Sequence, residues 1–118
     1  MAVIAKHIPV NSGTAKAWSN LNGTGTIAER DSFNISGYVD NGTGDYTFTI
    51  SADMSNANYA QSGHSSVSIG ALDGANWIRY IPGSSPAVGA VDVGTVNSAG
   101  SAFVDAAYVV AHIHGDLA

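Results

Sequence analysis

Cysteine is absent from the 118 residues, and charged residues make up only 11% of the chain. Without cysteine, neither a disulfide framework nor a thiolate metal site can stabilise the fold. Four lysines and arginines against nine carboxylates leave a formal net charge of −5. That balance excludes the basic patch that phosphate backbones require, so we expect no nucleic-acid partner. Stability must then come from packing, to which neighbouring subunits can add.

Long apolar runs are also missing. The first ten residues (MAVIAKHIPV) are interrupted by Lys6, His7 and Pro9, too early for a signal peptide or a membrane span. We therefore expect no membrane insertion and a product that stays in the cytoplasm where it is made, unless lysis or assembly of a particle carries it out.

Apolar residues nevertheless reach 45% of the chain, which argues against disorder. The length is that of one ordinary domain. We predict one domain over residues 14–118, preceded by an N-terminal arm or attachment segment over residues 1–13.

Glycine, serine, threonine and asparagine interrupt nearly every window in which a helical period could develop. Alternation of apolar and polar residues with a period of two, which is typical of strands, is easier to find. In residues 33–39 (FNISGYV), Phe33, Ile35 and Val39 share one face, which predicts a half-buried strand.

The clearest strand covers residues 45–51 (DYTFTIS), where Tyr46, Phe48 and Ile50 share a face opposite two threonines. Residues 40–44 (DNGTG) precede it and tolerate the backbone conformations of tight turns. The pattern predicts a hairpin.

Further short strands are predicted over residues 58–62, 66–70, 76–81, 88–93 and 106–114. Residues 53–57 suggest a single helical turn, and residues 82–86, with two prolines, predict a loop. Trp18 is interpreted as a core residue. Strands at this spacing favour an all-β fold, an antiparallel β-sandwich of jelly-roll-like type.

Several segments together resemble the C-terminal domain of phage tail fibres and related virion proteins. They are residues 13–28 (GTAKAWSNLNGTGTIA), 31–36 (DSFNIS), 40–50 (DNGTGDYTFTI) and 54–60 (MSNANYA). The resemblance implies a β-rich, usually homotrimeric module at the exposed end of a fibre that recognises the host surface, often through glycans.

The expected function is therefore that of a bacteriophage virion structural protein, a tail-fibre or tail-tip module that binds a glycan or envelope protein of the host. The alternative is a capsid or tail decoration (cement) protein without a receptor role. The partners would be further copies of the chain and other virion proteins, and the location would be the phage particle.

The densest cluster of large amphipathic side chains comprises Trp77, Arg79 and Tyr80, next to Asp73 and Asn76. Such a composition is expected where a surface binds a sugar or a protein. Alternation places Trp77 and Arg79 on one face and Ile78 and Tyr80 on the other. We take these five residues as the candidate ligand-binding set.

His112 and His114 lie on one face of the predicted last strand, where one metal ion could contact both imidazoles. Three such pairs around a trimer axis would supply six nitrogens. The preferred interpretation is a polar strand end without a metal, and no other cofactor is expected.

We expect no enzyme. His64 and Ser65 are adjacent on a strand and point to opposite faces, and nothing orders them as base and nucleophile. Glu29 and Asp31 are the only close carboxylate pair at strand spacing, and we interpret them as solvated surface. Asp40 and Asp45 flank a turn and are interpreted as turn caps, not as calcium ligands.

Overall fold

The computed structural model of the protein describes residues 14–66 and 75–118, and for residues 75–77 it describes the backbone. The predicted arm over residues 1–13, Asp73 and most of the predicted strand over residues 66–70 lie outside the described residues. Within the described part there is no helix, and so none that could span a membrane.

Eight strands form the described part, and every pairing between them is antiparallel. They are β1 (Ala15–Asn22), β2 (Ala28–Phe33), β3 (Ile35–Gly42), β4 (Asp45–Ile50), β5 (Ala60–Ser66), β6 (Ala75–Arg79), β7 (Ala90–Val96) and β8 (Tyr108–His114). The prediction of an all-β antiparallel fold is confirmed.

The strand order is β2-β1-β8-β5-β6-β7-β4-β3. The first half of β6 pairs with β5 and the second half with β7. The chain is thus arranged as two antiparallel sheets that share β6. Sheet A contains β2, β1, β8 and β5, and sheet B contains β7, β4 and β3.

The hydrophobic core lies between the two sheets, because alternate residues of the central strands point into it. Sheet A contributes Ala17, Leu21, Val109, Ala111 and Ile113, and sheet B contributes Tyr46, Phe48, Ile50, Val91 and Val93. The predicted inward face of β4 is confirmed.

The predicted hairpin between β3 and β4 is also confirmed. Asp40 caps the turn by accepting a hydrogen bond from the Gly42 N–H (3.0 Å), as the sequence indicated. Gly44 has a φ of +66°, and a Cβ there would lie 2.6 Å from the Thr95 carbonyl oxygen. Only glycine fits this turn without strain.

The predicted strand over residues 33–39 is confirmed over residues 35–39, which belong to β3, and is wrong at Phe33 and Asn34. Asn34 has a φ of +58° and divides the segment into β2 and β3, which belong to different sheets. Its side-chain amide donates to the Lys16 carbonyl (3.0 Å), and its Oδ1 accepts from the Ala52 N–H (2.8 Å). Asparagine tolerates the left-handed conformation, and these bonds fix it.

A register shift between Ile35 and Gly37 then changes the alternation of β3. Tyr38 therefore packs against the core, whereas Phe33 and Val39 are 54% and 50% exposed. Such a bulge is not visible in an alternation pattern.

The predicted helical turn over residues 53–57 is wrong as well. Met54 is buried in the core and forms an isolated β-bridge with Leu117. Its N–H donates to the Val88 carbonyl (2.8 Å), so tertiary contacts satisfy this backbone in place of a helix. The predicted loop over residues 82–86 is confirmed.

Candidate functional site

A cleft of about 740 Å³ opens between β5 and β6. The two strands pair only at Ser65–Asn76 and Ser66–Ala75. Beyond that point β5 continues along β8, while β6 crosses to β7. The cleft is therefore the gap left where the two sheets separate. Its lining residues within the described part are Gln61, Ser62, Gly63, Ile78, Arg79, Tyr80, Val96 and Gly100.

The sequence of β5 (AQSGHSS) explains why this end of the interior is not filled. Gln61, Gly63 and Ser65 pair with buried residues of β8 and so share their inward face. None of the three has a large apolar side chain. Ligand pockets commonly have volumes of this size.

Three polar atoms on this inward face are buried and have no hydrogen-bond partner within the described part of the chain. They are Nε2 and Oε1 of Gln61 and Oγ of Ser65. Leaving such a group unpaired costs about 1–3 kcal/mol. The Gln61 amide, which lines the cleft, can both donate to and accept from a bound molecule.

The opposite wall contains two of the five predicted binding residues. Arg79 is exposed, and its Nε donates to the Tyr80 carbonyl (3.3 Å). Tyr80 is 47% exposed. Ile78 packs against the core, whereas Arg79 is exposed. The two side chains therefore point to opposite faces of β6, as predicted.

The structure thus brings Arg79 and Tyr80 to one cleft together with Gln61, which the sequence interpretation missed. The available signal was the absence of large apolar side chains from a strand that borders the core. Asn76 and Trp77 lie in the first part of β6, for which only the backbone is described. Asp73 lies outside the described residues.

His112 and His114 alternate with the buried residues of β8 and therefore share its outer face. Both are partly buried. Across residues 14–66 and 75–118, no group of three or more His, Cys, Asp or Glu side chains is placed to hold one metal ion. A metal shared between subunits at this pair stays a hypothesis.

The interpretation of Trp18 as a core residue is wrong. Trp18 is only partly buried and pairs with Phe33 on one side and His112 on the other. It lies on the outer face of sheet A because its neighbours Ala17 and Ser19 occupy the inward positions.

The same outer face carries Arg30, whose guanidinium lies 4.0 Å from the centroid of the Tyr108 ring and donates to Asn20 Oδ1 (3.2 Å). The cation–π contact holds both side chains against the sheet. Sequence reasoning did not find this pair, because β2 and β8 are far apart in the chain.

Glu29 and Asp31, predicted to be solvated surface, are both exposed, but Glu29 Oε1 also accepts a hydrogen bond from the Tyr38 hydroxyl (2.6 Å). Asp45 Oδ1 accepts from the Asn41 side chain (3.3 Å). A register shift between Asn20 and Leu21 puts Glu29 opposite inward-facing Leu21 and Asp31 opposite Asn20. Glu29 and Asp31 therefore lie on opposite faces of β2.

Comparisons with protein-family models, with curated proteins and with solved structures found no significant match to this chain.

Proposed function

We propose that this protein is a recognition module of a bacteriophage particle, of tail-fibre or tail-tip type, which binds the host surface through the cleft between β5 and β6. The single observation that carries the binding role is the cleft itself, with Arg79 and Tyr80 on one wall and, on the other, the Gln61 amide, which has no hydrogen-bond partner among the described residues. The phage context comes from the sequence resemblance.

The character of the cleft fits binding to a surface molecule. Ile78 and Val96 offer apolar contact, and the half-exposed Tyr80 ring offers a flat face with a polar tip. The Gln61 amide and the Arg79 guanidinium supply donors that orient a ligand. Pockets that combine apolar walls with a few polar groups are typical binding sites.

Two finer features belong to the same proposal, namely a jelly-roll-like sandwich and a homotrimer. The described part has eight strands in two antiparallel sheets, with β1 beside β8, and jelly rolls likewise consist of eight strands in two sheets. Low charge makes self-association electrostatically inexpensive. Sedimentation should give a trimer, and a stable monomer at micromolar concentration would contradict it.

The second candidate function is that of a decoration or cement protein of the capsid or tail. It is favoured by the outer face of sheet A, where Phe33 is 54% exposed beside Trp18. Exposed aromatic side chains of this kind are enriched in protein–protein interfaces.

A pair of matched variants separates the two candidates, since Tyr80 and Phe33 are both aromatic and about half exposed. Purified protein should compete with phage particles for adsorption to host cells. We expect Tyr80→Ala to abolish this competition and Phe33→Ala to preserve it.

If the protein does not compete at all and Phe33→Ala prevents its incorporation into particles, the cement role replaces the receptor role. Release of reducing ends from host polysaccharide by the purified protein would instead indicate an enzyme and contradict the proposal.

A further inference from the structure

Among the described strands, one edge of β5 has no partner for most of its length. All seven residues of β5 pair with β8 on one side, but only Ser65 and Ser66 pair with β6 on the other. Within the described residues, the stretch from Ala60 to His64 is therefore paired with a neighbouring strand on one side only, the side of β8. In an antiparallel strand, alternate residues of such a stretch direct their N–H and C=O groups away from the paired side.

The outermost strands of the structure show how this chain protects an edge. The edge strand β2 (AERDSF) carries three consecutive exposed charged residues, Glu29, Arg30 and Asp31, and an irregular register. The edge strand β3 has two register shifts. Charges and bulges are the usual devices that prevent another strand from adding to an edge.

The free edge of β5 carries none of these devices. Its sequence contains no Lys, Arg, Asp, Glu or Pro, and its pairing with β8 runs from Ala60 to Ser66 without a register shift. It also borders the cleft, because Gln61, Ser62 and Gly63 are three consecutive lining residues. An unprotected edge beside an open cleft is suited to pairing with a further strand.

We infer that the cleft receives an extended polypeptide segment of a partner protein, which adds to the free edge of β5 as an antiparallel or parallel strand. The inference rests on the proposed binding role of the cleft and specifies the class of ligand. The five residues of the free edge span about 17 Å, the length of an ordinary strand.

The surroundings define the chemistry of this segment. Alternate side chains of an added strand would face the interior between the sheets, near Ile78 and Val96, and should be apolar. The other side chains would face the outer surface beside Ser62 and His64, which are exposed, and should be polar. Strand addition of this kind takes affinity from main-chain bonds and specificity from alternate side chains.

The test uses the full chain and a random heptapeptide library. A selected peptide is synthesised, and amide hydrogen exchange of residues 60–64 is measured by NMR with and without it. We expect alternate amides of this stretch to exchange about tenfold more slowly in the complex, which corresponds to about 1.4 kcal/mol.

N-methylation of the peptide provides the matched control. Methyl groups on the alternate peptide nitrogens that face β5 should reduce affinity about tenfold or more, while methyl groups on the intervening nitrogens should leave it nearly unchanged.

Selected peptides that leave residues 60–64 unprotected, or that lose affinity equally with both methylation patterns, would overturn the inference. The inference would also be overturned if the library yields no binding peptide while host oligosaccharides bind the cleft and bind more weakly to the Tyr80→Ala variant. That last result would leave the proposed host-binding function intact. If the protein binds the selected peptides but does not compete with phage particles for adsorption, the host-binding role alone is rejected.

Discussion

The Tyr38 hydroxyl donates a hydrogen bond to Glu29 Oε1 at 2.6 Å and so connects β3 of sheet B to β2 of sheet A. Ser19 of β1 shares the same hydroxyl at 2.6 Å. Because β6 joins the two sheets on one side, this three-residue contact links them on the other. Hydrogen bonds to Ser32 and to Tyr38 hold the pKa of the Glu29 carboxyl below its usual value.

Replacing Tyr38 by phenylalanine should destabilise the protein by about 1–2 kcal/mol, because the fully buried Ser19 hydroxyl would lose its partner. The edge-to-face contact between rings 38 and 48, at 5.1 Å, would remain. Urea unfolding of Tyr38→Phe, Ser19→Ala and the double variant would measure the coupling. Additive losses would show that the contact does not link the sheets.

Gly44→Ala should be more destabilising than Gly25→Ala. Both glycines have left-handed φ values, +66° and +59°, so both substitutions carry the strain of about 1–2 kcal/mol. Only at Gly44 would the new Cβ also meet backbone atoms, at 2.6–2.8 Å, whereas at Gly25 it meets open space. Thermal unfolding should show the larger fall for Gly44→Ala, and equal falls would mean that the turn can shift.

Gln61→Leu should stabilise the chain by about 1–3 kcal/mol, since it removes a buried amide that has no partner among residues 14–66 and 75–118 and adds apolar contact to the cleft. The control is Ala60→Leu on an exposed position of the same strand, outside the lining of the cleft, where no gain is expected. Denaturant midpoints of the two variants give the comparison. A loss of stability in Gln61→Leu would show that the amide makes hydrogen bonds in solution.

Stability should fall between about pH 10 and pH 12. Burial raises the pKa of Tyr38 and of Tyr59 to about 12, and it raises the pKa of Tyr46 further, from an ordinary value of 10.0. The unfolded chain loses these protons first, so the folded state binds more protons in this range and becomes less stable as pH rises.

Urea unfolding across this range would measure the slope, and Tyr59→Phe should reduce it. Stability that stays constant from pH 10 to pH 12 would contradict the burial of these hydroxyls.

Local pattern was enough to predict the central strands. Tyr46, Phe48 and Ile50 alternate without interruption, and the turn before them contains the glycines and Asp40 that its backbone needs. The same reasoning failed at β2 and β3, where Asn34 and a bulge change the face that each residue presents. It also failed at Trp18, because a large aromatic side chain does not reveal which face of its strand packs on the core.

The sequence by itself determined the class of fold and the composition of the free edge, because alternation, turn chemistry and the absence of charge from β5 depend only on neighbouring residues. Tertiary structure alone decided where the cleft lies. Its position depends on β6 leaving β5 for β7, and pairing between strands distant in the chain is set by how the whole core packs.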